Sequence, residues 1–291
     1  MRLVIDAGST KMEWILMDGN VVVRRFTTEG FNPNYTDRRC LDNIINLVET
    51  RLIASPNNDC HVSRRDESAS LHAIFYYGTG CGSIQNCQMI QEVFQNRFPH
   101  AEIHVTNDLM AACHAVLGHE KGIACILGTG SNACVYDGEK IVEKAVSLGY
   151  LVGDEGSGMH IGREVVRTYF YGFMPEDLRQ QFETKYHLEL KEFIQQLYHG
   201  GQPSKYLASF AEFAGEHKTH PFIRRLVKTC FMAFVEAFIF RFDGCRFMKI
   251  GFVGSVVYYF SDVLEETLSD FGLTMGAVMK APAEGLVRYY K

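Results

Sequence analysis

Residues 3–26 read LVIDAGSTKMEWILMDGNVVVRRF, and residues 123–146 read IACILGTGSNACVYDGEKIVEKAV. Each stretch holds an apolar run, a turn of Gly, Ser and Thr, a second apolar run, an Asp-Gly pair and a third run. Asp-Gly between apolar runs is a strong hairpin signal, because the pair accepts the positive φ angles of a tight turn. The spacing predicts a three-strand meander twice: 3–5, 12–17 and 21–26, then 123–127, 133–136 and 140–146. Gly8 precedes Gly19 by eleven residues and Gly128 precedes Gly138 by ten. A pattern that recurs at nearly the same spacing indicates a duplicated unit.

Outward from the first meander, Leu41, Ile44, Ile45, Val48 and Leu52 share one face of a helix, and 72–77 is a β-rich run closed by Gly78-Thr79-Gly80-Cys81-Gly82. Residues 84–98 read as helix and 102–106 as strand, and Asn107 can cap a helix that starts at Asp108 and stops at Gly118. Arg64, Arg65, Asp66, Glu67 and Ser68 read as a solvated loop. The second meander is followed by a helix-rich stretch over about 160–242. There Leu226, Val227, Cys230, Phe231, Phe234, Val235 and Phe238 mark one buried helix. Then 247–253 reads as strand, Gly254-Ser255 as turn, 258–271 as helix and 283–290 as a short last helix. The expected class is α/β, with two domains: 1–114, with helix 280–291 packing back on it, and 115–279, with the helical insertion. No low-complexity linker separates the halves, so they are expected to pack around a shared cleft.

Composition narrows the function classes. Over 291 residues, 29 Lys and Arg against 34 Asp and Glu give a formal charge of −5. That balance suits nucleic acid poorly. The N-terminus lacks a secretory pattern, and no apolar stretch reaches the length of a membrane helix, so a cytoplasmic protein without a membrane partner is expected. The nine cysteines form no C-x-x-C pair, which favours reduced, mostly buried thiols over a disulfide framework or zinc ribbon.

Turns of Gly, Ser and Thr present backbone N–H groups and hydroxyls together, an arrangement that binds phosphate oxygens. One such turn is usually only a turn, but two at one spacing point to a polyphosphate. Asp6, beside the first turn, would be repelled by phosphate unless a divalent cation lay between them, which implies Mg²⁺. Gly128-x-Gly130-x-x-Ala133 fits the loose dinucleotide fingerprint, yet Asp137-Gly138 leaves no room for the helix that fingerprint requires. No P-loop motif is present. Asp108, just beyond a strand and in the first turn of a helix, is placed to accept a hydroxyl proton in phosphoryl transfer, although such a residue can serve the helix dipole alone. Gly153-Asp154-Glu155-Gly156-Ser157-Gly158 is the densest polar glycine cluster; its acids, and Asn32 in Gly30-Phe31-Asn32-Pro33, could bind substrate hydroxyls.

Together, the repeated meander, the Asp108 helix, the Gly128–Asn132 turn and Gly153-Asp154-Glu155-Gly156-Ser157 resemble the N-acetylglucosamine kinases and the wider BadF/BadG-type ATPase family. The resemblance spans nearly the whole chain. It implies two RNase H-like domains of the actin-like ATPase superfamily, closing over ATP and Mg²⁺. By resemblance, Gly8, Ser9 and Thr10 form the first phosphate loop and Gly128, Thr129, Gly130 and Ser131 the second. Gly254-Ser255 forms the nucleotide-side turn and Ala211 lines the adenine pocket. Asp6 holds Mg²⁺ through water and Asp108 is the base. Asn32, Asp154 and the Ser147-Leu148-Gly149 turn match sugar-contacting positions, and Asn132 and Glu155 are grouped with them. Vertebrate-like members carry Gly-Trp-Gly where this chain has Ser147-Leu148-Gly149, so the motifs identify the reaction better than the acceptor.

The resulting expectation is an ATP-dependent kinase of the 6-hydroxyl of an amino sugar, N-acetylglucosamine first, with a homodimer left open. N-acetylmuramate and glucosamine kinases share the phosphate loops. A different class, the ATPase activator of a radical 2-hydroxyacyl-CoA dehydratase, would need a cysteine-bound iron–sulfur cluster; Cys125 and Cys134 flank the second turn without a further signature. A nucleotide-dependent switch with no small substrate would not need the acceptor-like Asp154-Glu155 pair.

Overall fold

The computed structural model describes residues 1–53 and 71–291. Cys60 and the loop expected at Arg64, Arg65, Asp66, Glu67 and Ser68 lie outside the described residues. The chain divides into two compact units, Met1–Ala115 with Pro282–Lys291, and Val116–Ala281.

In the N-terminal unit, β1 (Arg2–Ala7), β2 (Lys11–Asp18) and β3 (Val21–Glu29) form the meander, followed by α1 (Arg38–Ile53), β4 (Ala73–Gly78), α2 (Ile84–Arg97), β5 (Glu102–Asn107) and α3 (Asp108–Val116). The sheet order is β3-β2-β1-β4-β5, with β1 antiparallel to β2 and parallel to β4. Strand alternation sorts the side chains between two cores. Leu3, Ile5, Ala7, Met12, Trp14 and Leu16 point to one face, with Ile44, Val48, Ile90 and Phe94 of α1 and α2. Val4, Ile15, Met17 and Tyr77 point to the other, where Ala111 of α3 meets Ala283, Leu286 and Val287 of the last helix. Trp14 is fully buried and its indole N–H donates to Thr28 Oγ1 at 2.9 Å, so burial leaves its one polar group paired.

The C-terminal unit repeats the plan. Here β6 (Gly122–Leu127), β7 (Ser131–Tyr136) and β8 (Ile141–Lys144) form the meander, and β9 (Lys249–Val253) and β10 (Met275–Met279) complete the order β10-β9-β6-β7-β8. β6 is antiparallel to β7 and parallel to β9, as β1 is to β2 and β4. Two five-stranded mixed sheets of one topology establish two RNase H-like units of the actin-like ATPase fold.

Between β8 and β9 run α4 (Gly158–Phe170), α5 (Glu176–Tyr186), α6 (Leu190–His199), α7 (Pro203–Ser209), α8 (Ala211–Glu216) and α9 (Pro221–Phe234). They bury Val165, Phe182, Phe213, Val227, Phe231 and Phe234 in one apolar core. α10 (Ser255–Tyr259), α11 (Ser261–Asp270) and the last helix, α12 (Ala283–Tyr289), follow.

Four details depart from the sequence reading. The buried helix after Pro221 leaves α-geometry at Val235–Ile239, which is π-helical; an apolar stripe does not reveal that shift. The strand expected over 247–253 begins at Lys249, because Cys245–Phe247 form a 3₁₀ turn. The single helix expected over 258–271 is two, divided at Phe260, and the first already begins at Ser255. Strand β10 went unread: it contains Gly276 and is mostly solvent-accessible at a sheet edge, so it carries little apolar pattern. No helix among the described residues is long and apolar enough to cross a membrane.

Candidate active site

The first glycine turn links β1 to β2 and is fixed by backbone bonds. Gly8 N–H donates to Lys11 O at 3.0 Å, Gly30 N–H to Thr10 O at 3.0 Å, Phe31 N–H to Gly8 O at 3.2 Å and Thr79 N–H to Ala7 O at 2.9 Å. Gly30 is required there: a Cβ on it would lie 2.5 Å from the backbone of Gly8, Ser9 and Thr10. Asn32 is buried; its Nδ2 donates to Ser9 Oγ at 2.9 Å and its Oδ1 accepts Asn34 N–H at 3.0 Å. Its amide therefore braces the turn, and one amide hydrogen is left for a ligand.

Asp108 opens α3 at the end of β5. The Asn107 side chain caps the helix by accepting Met110 N–H at 3.0 Å, which satisfies an otherwise orphaned donor. Asp108 Oδ1 accepts Leu109 N–H at 3.0 Å and Oδ2 accepts the Thr79 hydroxyl at 3.2 Å. The carboxylate is thereby oriented from two sides. Thr79, on the turn after β4, went unassigned in the sequence because a lone threonine in a glycine turn shows no partner 29 residues away.

Asp6, the penultimate residue of β1, shares the α3 face of the sheet with Val4. Burial first, then the charges of Glu13 and Asp108, push its carboxyl up to about 7, against the attraction of Lys11. A divalent cation suits such a group, since it removes the repulsion that desolvation magnifies. Among the described residues no three His, Cys, Asp or Glu form a metal-binding set. Asp6 itself offers one carboxylate, the kind of oxygen ligand that Mg²⁺ takes alongside its own waters and phosphate oxygens.

The second glycine turn, between β6 and β7, has the same design. Gly128 N–H donates to Gly130 O at 3.0 Å, Gly158 N–H to Gly128 O at 2.8 Å and Met159 N–H to Thr129 O at 3.2 Å. The start of α4 takes the bracing place that Gly30-Phe31 holds in the first unit. Gly254 N–H bonds to Met279 O at 2.9 Å, and at φ +139° a Cβ on Gly254 would fall 2.1 Å from Leu127 O. A side chain is excluded there by both backbone conformation and space. Ser255 follows, exposed, as the first residue of α10.

Asp154 is brought onto this turn. It lies in the left-handed region at φ +60°, its Oδ1 accepts Ser131 N–H at 3.3 Å, and a Cβ on Gly130 would be 2.9 Å from its Oδ2. Burial, with some help from Glu155, raises its pKa against the Ser131 N–H. Among the described residues Ser131 Oγ is buried without a hydrogen-bond partner, a polar atom that a ligand could satisfy. Asn132 Oδ1 accepts Ala133 N–H at 2.9 Å. Gly149 O accepts Gly153 N–H at 2.9 Å, tying the segment of exposed Ser147 and Leu148 and half-buried Gly149 to the Asp154-Glu155 loop. Ala211 is farther off: it packs at Gly162, one turn along α4 from Gly158, where a Gly162 Cβ would be 3.2 Å from Ala211 N.

Asp6, Gly8, Ser9, Thr10, Asn32 and Asp108 thus lie in the N-terminal unit, and Gly128–Asn132, Ser147, Gly149, Asp154, Glu155 and Gly254-Ser255 in the C-terminal one. Gly30, Thr79 and Glu13 join them only through tertiary contacts that sequence spacing does not display.

No family model matches the chain, and no curated protein does. Solved structures match it. A protein of Porphyromonas gingivalis, described as "Putative N-acetylglucosamine Kinase", is 34% identical over 100% of this chain and 98% of its own, with a TM-score of 0.90. A protein of Chromobacterium violaceum with the same description is 16% identical over 100% of this chain and 98% of its own, with a TM-score of 0.74. A ROK family glucokinase from Streptomyces griseus, solved with glucose and AMPPNP, is 14% identical over 99% of this chain and 98% of its own, with a TM-score of 0.57. The last two likenesses are of fold.

Proposed function

The chain belongs to the sugar kinases of actin-like ATPase fold, the family of the Porphyromonas gingivalis protein, and from that premise we propose that it transfers the γ-phosphoryl group of Mg-ATP to the 6-hydroxyl of an amino sugar, N-acetylglucosamine first. The family motifs support a place among the BadF/BadG-type members. The observation that carries the reaction is the doubly anchored Asp108 carboxylate, at the carboxyl end of a strand beside the acid-bearing first turn.

In this reading Asp108 accepts the proton of the sugar hydroxyl as that oxygen bonds to the γ-phosphorus and the bond to the β-phosphate oxygen breaks. Thr79 and the Leu109 N–H hold the carboxylate in place, which lowers the reorganisation needed in the transition state. The N–H groups and hydroxyls of the two glycine turns receive phosphate oxygens, spreading the developing charge over fixed dipoles. Mg²⁺, when bound beside Asp6, supplies positive charge to the donor phosphates. Asn32, Asp154 and the Ser147–Gly149 turn orient the acceptor.

The test is incubation with Mg-ATP and N-acetylglucosamine, with the product analysed by NMR. Phosphorylation at the sugar C6 oxygen is expected. Phosphorylation at another oxygen would remove the 6-hydroxyl assignment.

A further inference from the structure

Residues 153–157 carry two left-handed backbone positions of the C-terminal unit. Asp154, which is not glycine, has φ +60°, and Gly156 follows at φ +72°. A side chain in the left-handed region persists only where its surroundings impose it. Ser157 N–H donates to Asp154 O at 3.2 Å, and the Asp154 carboxylate reaches Ser131. A further restraint comes from the first turn of α4. Gly156 N–H donates to His160 Nδ1 at 3.0 Å, while His160 N–H returns to Ser157 Oγ at 3.2 Å.

We propose that His160 is a positioning residue for the second glycine turn: its neutral imidazole accepts the Gly156 N–H and so holds the Asp154 loop against Gly130 and Ser131. The role in turnover rests on the kinase reading above; the loop restraint itself does not.

The chemistry follows from which ring nitrogen carries the proton. An N–H donor facing Nδ1 requires a lone pair there, so the proton sits on Nε2. Nε2 is 4.0 Å from Glu164 Oε1, and the His160 side chain is 12% exposed. Glu164 also binds Arg167 at 2.9 Å and Arg163 at 3.3 Å. Burial and Arg163 lower the ring's pKa, and Glu164 and Glu155 oppose them, with Arg167 adding a smaller lowering effect; the net direction is below the ordinary 6.5. From α9 the group facing Arg163 and Glu164 is the buried Cys230 thiol. α7 and α8 meet α4 through the apolar residues Leu207, Ala208 and Ala211. The Gly156 N–H facing Nδ1 and the downward direction of the shift both favour the neutral ring. On protonation Nδ1 becomes a donor facing a donor, and the Gly156 bond must open.

Two variants separate the acceptor from the bulk of the ring. In His160→Asn the Oδ1 stands where Nδ1 did, accepts the same N–H and does not titrate. His160→Leu keeps apolar volume and removes the acceptor. In the full-length protein, ¹⁵N NMR is expected to show Nδ1 unprotonated at pH 7.5, and the Gly156 amide resonance to move with the titration of His160. His160→Asn should lack that movement, retain at least a third of the sugar-kinase kcat/KM at pH 8 and lose the wild-type decline on acidification. His160→Leu should lower kcat/KM by about threefold to tenfold at pH 8, the effect of one buried hydrogen bond. A proton on Nδ1, a Gly156 amide indifferent to His160 titration, or an undiminished acid decline in His160→Asn would overturn the proposal. The NMR outcomes stand whether or not any sugar is phosphorylated, so failure of the kinase reading is seen separately.

Discussion

Asp6 and Glu13 stand directly opposite each other across the antiparallel pair β1–β2. Both side chains share the face that carries α3 and α12, where like charges at cross-strand positions repel. The compensation is strongest at Glu13. That residue is buried, 8% exposed, and bonds Arg25, which also reaches Glu284 on α12. At Asp6 the attraction of Lys11 is outweighed by burial and by the charges of Glu13 and Asp108, consistent with a site that receives positive charge from a ligand.

A stability effect follows from that imbalance. The folded-state pKa of Asp6, about 7, lies above its ordinary 3.8. Its contribution is therefore fully present below 3.8 and is lost as pH rises to 7. Asp6→Asn, uncharged and of the same shape, should be more stable than wild type at pH 8 by about 1–3 kcal/mol, with the difference vanishing near pH 4. Chemical denaturation at both pH values measures it; equal stability at pH 8 would refute the unfavourable charge at Asp6.

Ligand linkage gives the complementary expectation. ATP with Mg²⁺ should raise the thermal midpoint of wild type more than ATP with chelator, and Asp6→Asn should lose most of that difference. Thermal scans across the four conditions decide it, and a Mg²⁺ increment unchanged in Asp6→Asn would place the ion elsewhere.

Asp108→Asn keeps an acceptor for the Leu109 N–H and removes the base. Turnover should fall by about 10²–10⁴-fold with the thermal midpoint nearly unchanged and ATP affinity retained. Near-normal kcat would show that another group takes the proton.

Gly30→Ala forces a methyl group into the backbone of the first turn, where Gly8, Ser9 and Thr10 leave only 2.5 Å. The expected cost is about 1–3 kcal/mol of stability together with a raised KM for ATP. A Gly19→Ala control has open space but a left-handed φ of +54°, so it should cost stability through backbone conformation and leave KM alone. Steady-state kinetics beside denaturation curves distinguish the two; an unchanged KM in Gly30→Ala would show that this turn does not meet the nucleotide.

Much of the fold was legible because it is written in local chemistry. Asp18-Gly19 and Asp137-Gly138 mark turns by conformational need, Asn107 marks a helix start by its capping oxygen, and the repeat announces the duplicated sheet. β10 and the break at Phe260 were not legible, since an edge strand with Gly276 has little apolar signal and a break between two helices leaves the buried stripe continuous. The site divides along the same line. Gly8–Thr10, Gly128–Ser131 and Asp108 could be named from residue type and spacing. Gly30, Thr79, Glu13 and His160 acquire their roles from register and packing: β1–β2 pairing sets Glu13 against Asp6, and only the folded chain brings Thr79 to Asp108.

Phosphoryl transfer to an amino sugar is read by Mg-ATP-dependent phosphorylation of N-acetylglucosamine, glucosamine, N-acetylmuramate, N-acetylmannosamine and glucose in parallel, with the products resolved by mass. One strongly preferred amino sugar is expected, gaining a single phosphoryl group, with N-acetylglucosamine foremost. ATP hydrolysis with no phosphorylated sugar from any of the five would contradict it.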